Sequence, residues 1–392
     1  MVTVGVRPVT ELRDSDCRPA LARNPDWSRS RIRATLRKVI AKEPEASAHP
    51  SAPARQGHEV RAGGGCFQEG DLALIDALQL RPRAAWATIG AALGISGSAA
   101  ARQWERLTTA GLAWLTAYPV FGVTTVGLVE VDCRPGDTVE TARRLAELGW
   151  VLSVDHVTGS CDLILTVSAL DLATLADVTT HDIGALPGVT GARLRLATRE
   201  GREWQVGSLE PRQRASLDVT AGNGRATEAD PCEADIPLLA VLSTDGRASY
   251  ASMASSLGVP EHTVRRRVHQ LVDAGVLVFR CDFAHELAGW PVTMIFRAQV
   301  PAAQLDRVGH ELNRMPEVRL CVAVTGEANL LVQAWLRSVA DGRALETTLE
   351  NRFPDLRVID RAVTLRAVKR MGRLLGEHSR ATGFVPLATR MT

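Results

Sequence analysis

A chain of 392 residues, 45% hydrophobic and 23% charged, has room for two to four domains of ordinary globular type, and no apolar run reaches the ~20 residues that a membrane crossing needs. Seven scattered cysteines, odd in number and without a C-x-x-C pair, argue against a disulfide framework, a zinc ribbon or a redox motif, so a reducing cytoplasm is the expected home. The net charge of +2 divides into +5 over residues 1–68 (12 basic, 7 acidic) and −3 over the remainder, so any nucleic-acid surface must be local.

Residues 1–68 mix Arg, Ala, Pro and Gly with few large apolar side chains and end in Gly63-Gly64-Gly65. They read as a disordered N-terminal extension, as translation from a start set too far upstream, or as a basic arm that aids DNA contact. Within them, Ile32, Leu36 and Ile40 place an amphipathic helix over Trp27–Lys42.

From Asp71 the pattern becomes helical. Leu72, Ile75, Leu78 and Leu80 mark a first helix, Ile89 and Leu93 a second that Gly94 stops, and Ser96 is a good N-cap for a third. Ala100, Trp104 and Leu107 form that third helix's inner stripe, Gly111 ends it, and Leu112–Tyr118 is extended. Next come a strand (Val123–Val131), a helix (Thr138–Leu148), two strands (Val151–Thr158, Leu163–Val167) around Gly159-Ser160-Cys161-Asp162, a helix (Leu172–Ile183) and a strand (Val189–Ala197). This β-α-β-β-α-β order predicts a ferredoxin-like sandwich with one bare sheet face.

The whole unit then recurs. Residues 71–118 align without a gap to 235–282 with 12 identities in 48 positions, including Arg83/Arg247 and Arg102/Arg266. The strand-pair turns match as Thr158-Gly159 and Thr325-Gly326. The second run of elements is Val292–Val300, Gln304–Met315, Val318–Thr325, Leu330–Ala334, Val339–Glu350 and Leu356–Leu365. The predicted fold class is α+β: two winged-type helix-turn-helix domains, each followed by a ferredoxin-like β-α-β-β-α-β sandwich. The expected domains are a helix-turn-helix over 69–118, a sensing module over 123–200, a linker over 201–232 with a short helix near Pro211–Leu217, a second helix-turn-helix over 233–282, a second sensing module over 290–367, and a polar tail over 368–392, helical from Val368 to Leu375.

In the second copy's third helix, Val264, Val268, Leu271 and Val272 are expected to pack inward, leaving His262, Thr263, Arg265, Arg266, His269 and Gln270 outward with Arg267 nearby. Guanidinium, amide and hydroxyl groups near the start of such a helix reach base edges and phosphates in a major groove. The first copy offers Ser98, Ala99, Ala101, Arg102, Gln103, Glu105 and Arg106 on the same face. It either docks through shape and a few phosphates or has lost strong binding, so the second reader is expected to dominate affinity. The DNA-binding set is Ser98, Arg102, Gln103, Arg106, His262, Thr263, Arg265, Arg266 and His269.

These residues resemble the leucine-responsive regulator/AsnC (Lrp/AsnC) family of transcription factors. The resemblance rests on Asp235 with Leu242, Asp245-Gly246-Arg247-Ala248-Ser249, Leu257-Gly258-Val259, Arg266-Arg267-Val268 and Ala274-Gly275-Val276, and on Val157-Thr158-Gly159 with Asp162 and Val324-Thr325-Gly326 with Asn329. It implies a regulator of transcription that binds double-stranded DNA and an effector, an amino acid or related small molecule, held near Gly159, Asp162, Gly326 and Asn329; the same four also read as ordinary turn residues. It further implies sensing sheets packed face to face, within one chain as a pseudo-dimer or between chains of a homo-oligomer. The first copy departs from the pattern at Arg81-Pro82-Arg83.

No catalytic residue, metal ligand or cofactor is expected: G-x-S-x-G, H-E-x-x-H and P-loop patterns are missing. The alternative reading is a siroheme decarboxylase-like enzyme, since those enzymes resemble the same architecture. It would need clustered basic and histidine side chains, and the strand pairs show only His156.

Overall fold

A computed structural model describes residues 66–119, 125–199, 205–217 and 235–387. The expectations for residues 1–65, the disordered extension and the Trp27–Lys42 helix among them, lie outside the described residues, as do residues 201–204 and 218–232 of the linker.

The first half opens with three helices, α1 (Asp71–Leu80), α2 (Trp86–Leu93) and α3 (Gly97–Thr109). Ser96 caps α3 by accepting the Ala99 N–H at 3.1 Å, and Ala100, Trp104 and Leu107 are its buried stripe. Gly111 takes φ +66° behind it, a left-handed conformation that a Cβ disfavours, and releases the chain into β1 (Ala113–Pro119). The sheet module follows as β2 (Thr125–Cys133), α4 (Thr138–Ala146), β3 (Val151–Val157), β4 (Leu163–Ala169), α5 (Leu172–Asp177, prolonged by a π-helical turn over Val178–Ile183) and β5 (Val189–Arg199).

The expected linker is partly structured. Residues 205–217, including α6 (Pro211–Leu217), lie on the first helical unit: Leu209 N–H donates to Asp76 Oδ2 at 2.9 Å, Val206 N–H donates to Gln79 Oε1 at 2.8 Å, and Leu217 is buried.

The second half repeats the plan with α7 (Ile236–Thr244), α8 (Tyr250–Leu257), α9 (Glu261–Asp273), β6 (Leu277–Phe283), β7 (Val292–Gln299), α10 (Leu305–Leu312), β8 (Val318–Val324), β9 (Leu330–Leu336), α11 (Val339–Arg352) and β10 (Arg357–Arg370). Val264, Val268 and Leu271 are buried on α9, but Val272 is exposed. One residue past Leu271 rotates about 100° off the buried stripe. The C-terminal expectation is corrected as well. Val368–Arg370 continue β10 beside β3, and Met371 and Gly372, both at positive φ, turn the chain into a hairpin of β11 (Arg373–Leu375) and β12 (Ala381–Phe384). Strand pairing wins over the weak helical pattern because β3 offers an open edge.

Each module forms an antiparallel four-stranded sheet, β3-β4-β2-β5 and β8-β9-β7-β10. The two join at both ends. β5 pairs with β8 at Ala197↔Val324, and β10 leaves β7 midway to pair with β3 from Thr364↔Val157. The face left bare in each sheet is thereby covered by the other, through Leu128, Val157 and Ile164 against Ile295, Val322 and Leu331. The strand-pair turns clip this seam in matching fashion. Thr158 N–H donates to Val363 O and its Oγ1 accepts the Val363 N–H, both at 2.9 Å; Thr325 does the same with Leu196, at 3.0 and 2.9 Å.

Lys369, at the far end of β10, is fully buried and donates from Nζ to Leu148 O at 2.7 Å. Burial pulls its pKa down to about 7, against about 10.4 in a free chain. Between those values the unfolded chain binds more protons, so stability should rise with pH from about 7 to about 10. In urea titrations across that range Lys369→Met should flatten the rise; an unchanged slope would exclude Lys369 as its source.

Candidate nucleic-acid interface and the seam between the sheets

The start of each helical unit holds a buried aspartate that anchors the third helix. In the second unit Arg267 reaches Asp235 with two bonds, Nε to Oδ1 at 2.8 Å and a terminal nitrogen to Oδ2 at 2.6 Å, with both side chains buried. In the first, Asp71 accepts Gln103 Nε2 at 2.8 Å, an Arg106 terminal nitrogen at 2.5 Å and the Gln68 N–H at 2.6 Å. Gln103 and Arg267 are equivalent in the repeat, as are the two aspartates. Gln103 and Arg106 therefore do not stand on the outer face as expected. Their donors turn inward to satisfy a carboxylate that has no water, and Arg267 is withdrawn in the same way.

The exposed face of α9 keeps His262, Arg265, Arg266 and His269, with Thr263 and Gln270 half-buried, and all of these but Thr263 line an open groove with Glu261 and Asp273. Tyr250 supports them from below: the Arg265 guanidinium lies 5.2 Å from its ring centre and the His269 ring stacks at 6.3 Å. Arg265 also pairs with Glu261 at 2.6 Å, an exposed pair of small energetic weight. On α3 the exposed polar side chains at the matching level are Ser98, Arg102 and Glu105.

A local two-fold relates the two units. β1 and β6 pair antiparallel from Ala113↔Phe283 to Pro119↔Leu277, centred on Thr116↔Arg280. Arg83 donates to the carbonyls of Gly246 (2.6 Å) and Ala248 (2.9 Å), and Arg247 donates to the equivalent carbonyls of Pro82 (2.6 Å) and Ala84 (2.8 Å). Arg83 lies 4.6 Å from the Tyr250 ring centre and Arg247 lies 3.8 Å from that of Trp86. Burial, with Arg83 beside it, lowers Arg247 to about 10. The symmetry fails at one bond. Gly246 N–H donates to Leu115 O at 2.9 Å, whereas Pro82 at the matching position has no N–H to give. A Cβ on Gly246 would meet the Leu115 Cδ2 methyl at 2.1 Å and the Leu115 carbonyl oxygen at 3.1 Å, so a side chain there would have to displace the leucine tip. The one trace of this clasp in the sequence is the repeat identity Arg83/Arg247.

At the sensing turns, Gly159 and Gly326 take φ +101° and +121° and are exposed. Asp162 Oδ2 accepts the Cys133 N–H at 2.7 Å; Asn329 takes the same place, accepting the Val300 N–H at 3.0 Å and donating to Val300 O at 2.8 Å. Both side chains are thus tied to the end of their own module's first strand rather than held out toward a ligand's ammonium group. Between the sheets lies an ionic cluster that sequence reasoning did not find. Glu130 accepts from Arg195 Nε at 3.0 Å and, across the seam, from Arg297 Nε at 2.8 Å; Arg297 also bonds Asp360 at 2.5 Å. Burial pushes the Glu130 carboxyl up, but the Arg195 bond and the charges of Arg297, Arg195 and Arg193 outweigh it and hold it below the usual value. Burial raises the neighbouring Cys161 thiol to about 11, leaving it protonated and inert.

A second unforeseen cluster surrounds His285, which stacks on Trp335 at 4.3 Å, faces Thr293 Oγ1 at 3.0 Å through Nε2 and meets an Arg370 nitrogen at 3.4 Å through Nδ1. Arg319 lies on the same ring and pairs with Asp282 at 2.7 Å. Burial, then Arg370, holds His285 well below its ordinary pKa and hence neutral. It gave no repeat signal, because Ser168 and Leu152 stand where the second half has Trp335 and Arg319. His156, half-buried on β3, is remote in sequence from these groups and sits in register with Arg366.

Among known proteins, the Lrp/AsnC ligand binding domain matches residues 126–203 and again 293–374, and the AsnC-type helix-turn-helix domain matches 233–272. An uncharacterized HTH-type transcriptional regulator of Pyrococcus horikoshii is 32% identical over 124 residues, covering 31% of this chain and 77% of that protein. The HTH-type transcriptional regulator LysM of Saccharolobus solfataricus is 24% identical over 100 residues, covering 26% of this chain and 70% of that protein. The crystal structure of the siroheme decarboxylase NirDL with an iron-uroporphyrin III analogue superposes with a TM-score of 0.52 at 13% identity, over 77% of this chain and 93% of that one, a likeness of fold alone.

Arg267→Ala would leave Asp235 buried without its guanidinium and should cost about 3–5 kcal/mol of stability in urea titration. Arg266→Ala, one residue away on the open face, should stay within about 0.5 kcal/mol. Equal losses would refute the assignment of one arginine to structure and the other to solvent.

Proposed function

The chain belongs to the Lrp/AsnC family of transcriptional regulators, and from that premise we propose that it is a cytoplasmic, single-chain pseudo-dimer that carries two DNA readers and two sensing modules. The observation that carries the reading is the pair of third helices held about one local two-fold by β1–β6 and the Arg83/Arg247 clasp. Double-stranded DNA presents related half-sites about one helical turn apart to such a pair. His262, Thr263, Arg265, Arg266 and His269 on α9 are the proposed base and phosphate contacts; on α3 only Ser98 and Arg102 remain proposed.

The proposed effector is an amino acid or related small molecule at the turns Gly159–Asp162 and Gly326–Asn329. With Asp162 and Asn329 engaged by backbone, what the turns can offer it is the exposed main chain at Gly159 and Gly326. Because the Thr158 and Thr325 clips join each turn to the other module, a ligand there would bear on the seam and shift the readers by its differential affinity for two seam arrangements. Calorimetric titration of an amino-acid panel should find at least one that binds; if none does, the turns are structural only.

A second reading, a siroheme decarboxylase-like enzyme, draws on the fold-wide likeness to NirDL and on the His285–Arg370–Arg319 cluster. Its histidine is fully buried and already covered by Trp335, which favours the regulator. Incubation with siroheme should yield no decarboxylated product.

In gel shifts on family-type operator DNA, affinity should fall at least about 100-fold between 50 and 200 mM salt, the slope of about four released phosphate counterions. Arg266→Ala should weaken binding by about 1–3 kcal/mol. A flat salt response would contradict DNA binding.

A further inference from the structure

We infer that the DNA site this chain takes is made of two unequal halves, one read base by base through α9 and the other held through backbone and shape by α3. The inference rests on the DNA-binding reading above and adds the form of the site. The scaffold is nearly symmetric. The clasp of Arg83 and Arg247 repeats with bond lengths within tenths of an ångström, and β1–β6 pairs about its own centre, so both third helices meet one duplex in related poses.

The side chains they bring differ at matching positions. Where α9 has His262, Thr263 and Arg265, α3 has Ser98, Ala99 and Ala101. Arg102 matches Arg266, but Glu105 stands where α9 has His269, a carboxylate in place of an imidazole before a polyanion. The two further donors that α3 carries, Gln103 and Arg106, are drawn down onto Asp71. Reading base edges needs bidentate donors or acceptors that reach the groove floor; alanine reaches only the thymine methyl. The first half-site therefore receives one guanidinium and the Ser98 hydroxyl, with little base discrimination, while the second receives two guanidinium groups, two imidazoles and a hydroxyl. A homodimer of either unit would select a palindrome. This chain, with both units in one polypeptide, selects a directional site.

The test is selection of bound sequences by the full chain from a duplex library of about 30 random base pairs, a span that holds two half-sites one turn apart. The expected product has one strongly specified half and, about 10 base pairs away, a weakly specified partner whose removal still lowers affinity several-fold. Arg266→Ala should erase the specified half, whereas Arg102→Ala should weaken all sequences alike. The double variant Ala101→Arg with Glu105→His should sharpen the weak half toward the strong one. A palindrome with equal information in both halves would overturn the inference, as would a site whose second half can be cut away without loss. No enrichment together with no salt-sensitive binding would instead overturn the DNA-binding reading on which it stands.

Discussion

Two antiparallel sheets, each covered by helices on one side only, expose two apolar faces that water penalises by roughly 25 cal/mol for every square ångström left wet. The chain removes both at once by laying one sheet on the other, with Leu128 and Ile164 against Ile295 and Leu331. Once that is done, the remaining geometry is heavily constrained. The ends of β5 and β10 fall beside the opposite module, the Thr158 and Thr325 turns find backbone partners there, and the helical units emerge close enough for β1 and β6 to pair. Both helical units are thereby brought together within one chain.

The connections also cross between halves. The core under the first helical unit includes Phe283 and Trp335 from the second half, with the two rings edge to face at 5.5 Å. The C-terminal hairpin touches both units, through Ala381 N–H to Gly111 O at 2.9 Å and an Arg373 nitrogen to Thr244 O at 2.9 Å. Reader and sensor are thus in contact through packed side chains and paired strands, the kind of continuous material through which a change at the seam can be felt at the DNA face.

Much of this was legible in the residues. Period-3.6 apolar stripes, the Ser96 cap and the glycines at 94, 111, 258 and 275 located the helical units, and the β-α-β-β-α-β alternation located the modules. The misses share a cause. Gln103, Arg106 and Arg267 have the composition of a reading face, and only a buried aspartate some thirty residues earlier reveals that they point inward. The C-terminal strands and the docking of 205–217 depend on a free edge and a groove supplied by distant segments, which local propensity cannot register. Asp162 read as a ligand-binding carboxylate because its bond to the Cys133 amide exists only once β2 and the turn are brought together.

Glu130 and Arg297 occupy the same place in the two modules, and they meet each other across the seam. In the ancestor of a duplicated gene such a position faces its own copy. Here a carboxylate on one side and a guanidinium on the other have become each other's partner, with Arg193 and Asp360 likewise opposite in sign at a second matched position. Either half alone would lose that cross-seam pair and keep only its own partners, Arg195 for Glu130 and Asp360 for Arg297, so each half completes the charge balance of the other.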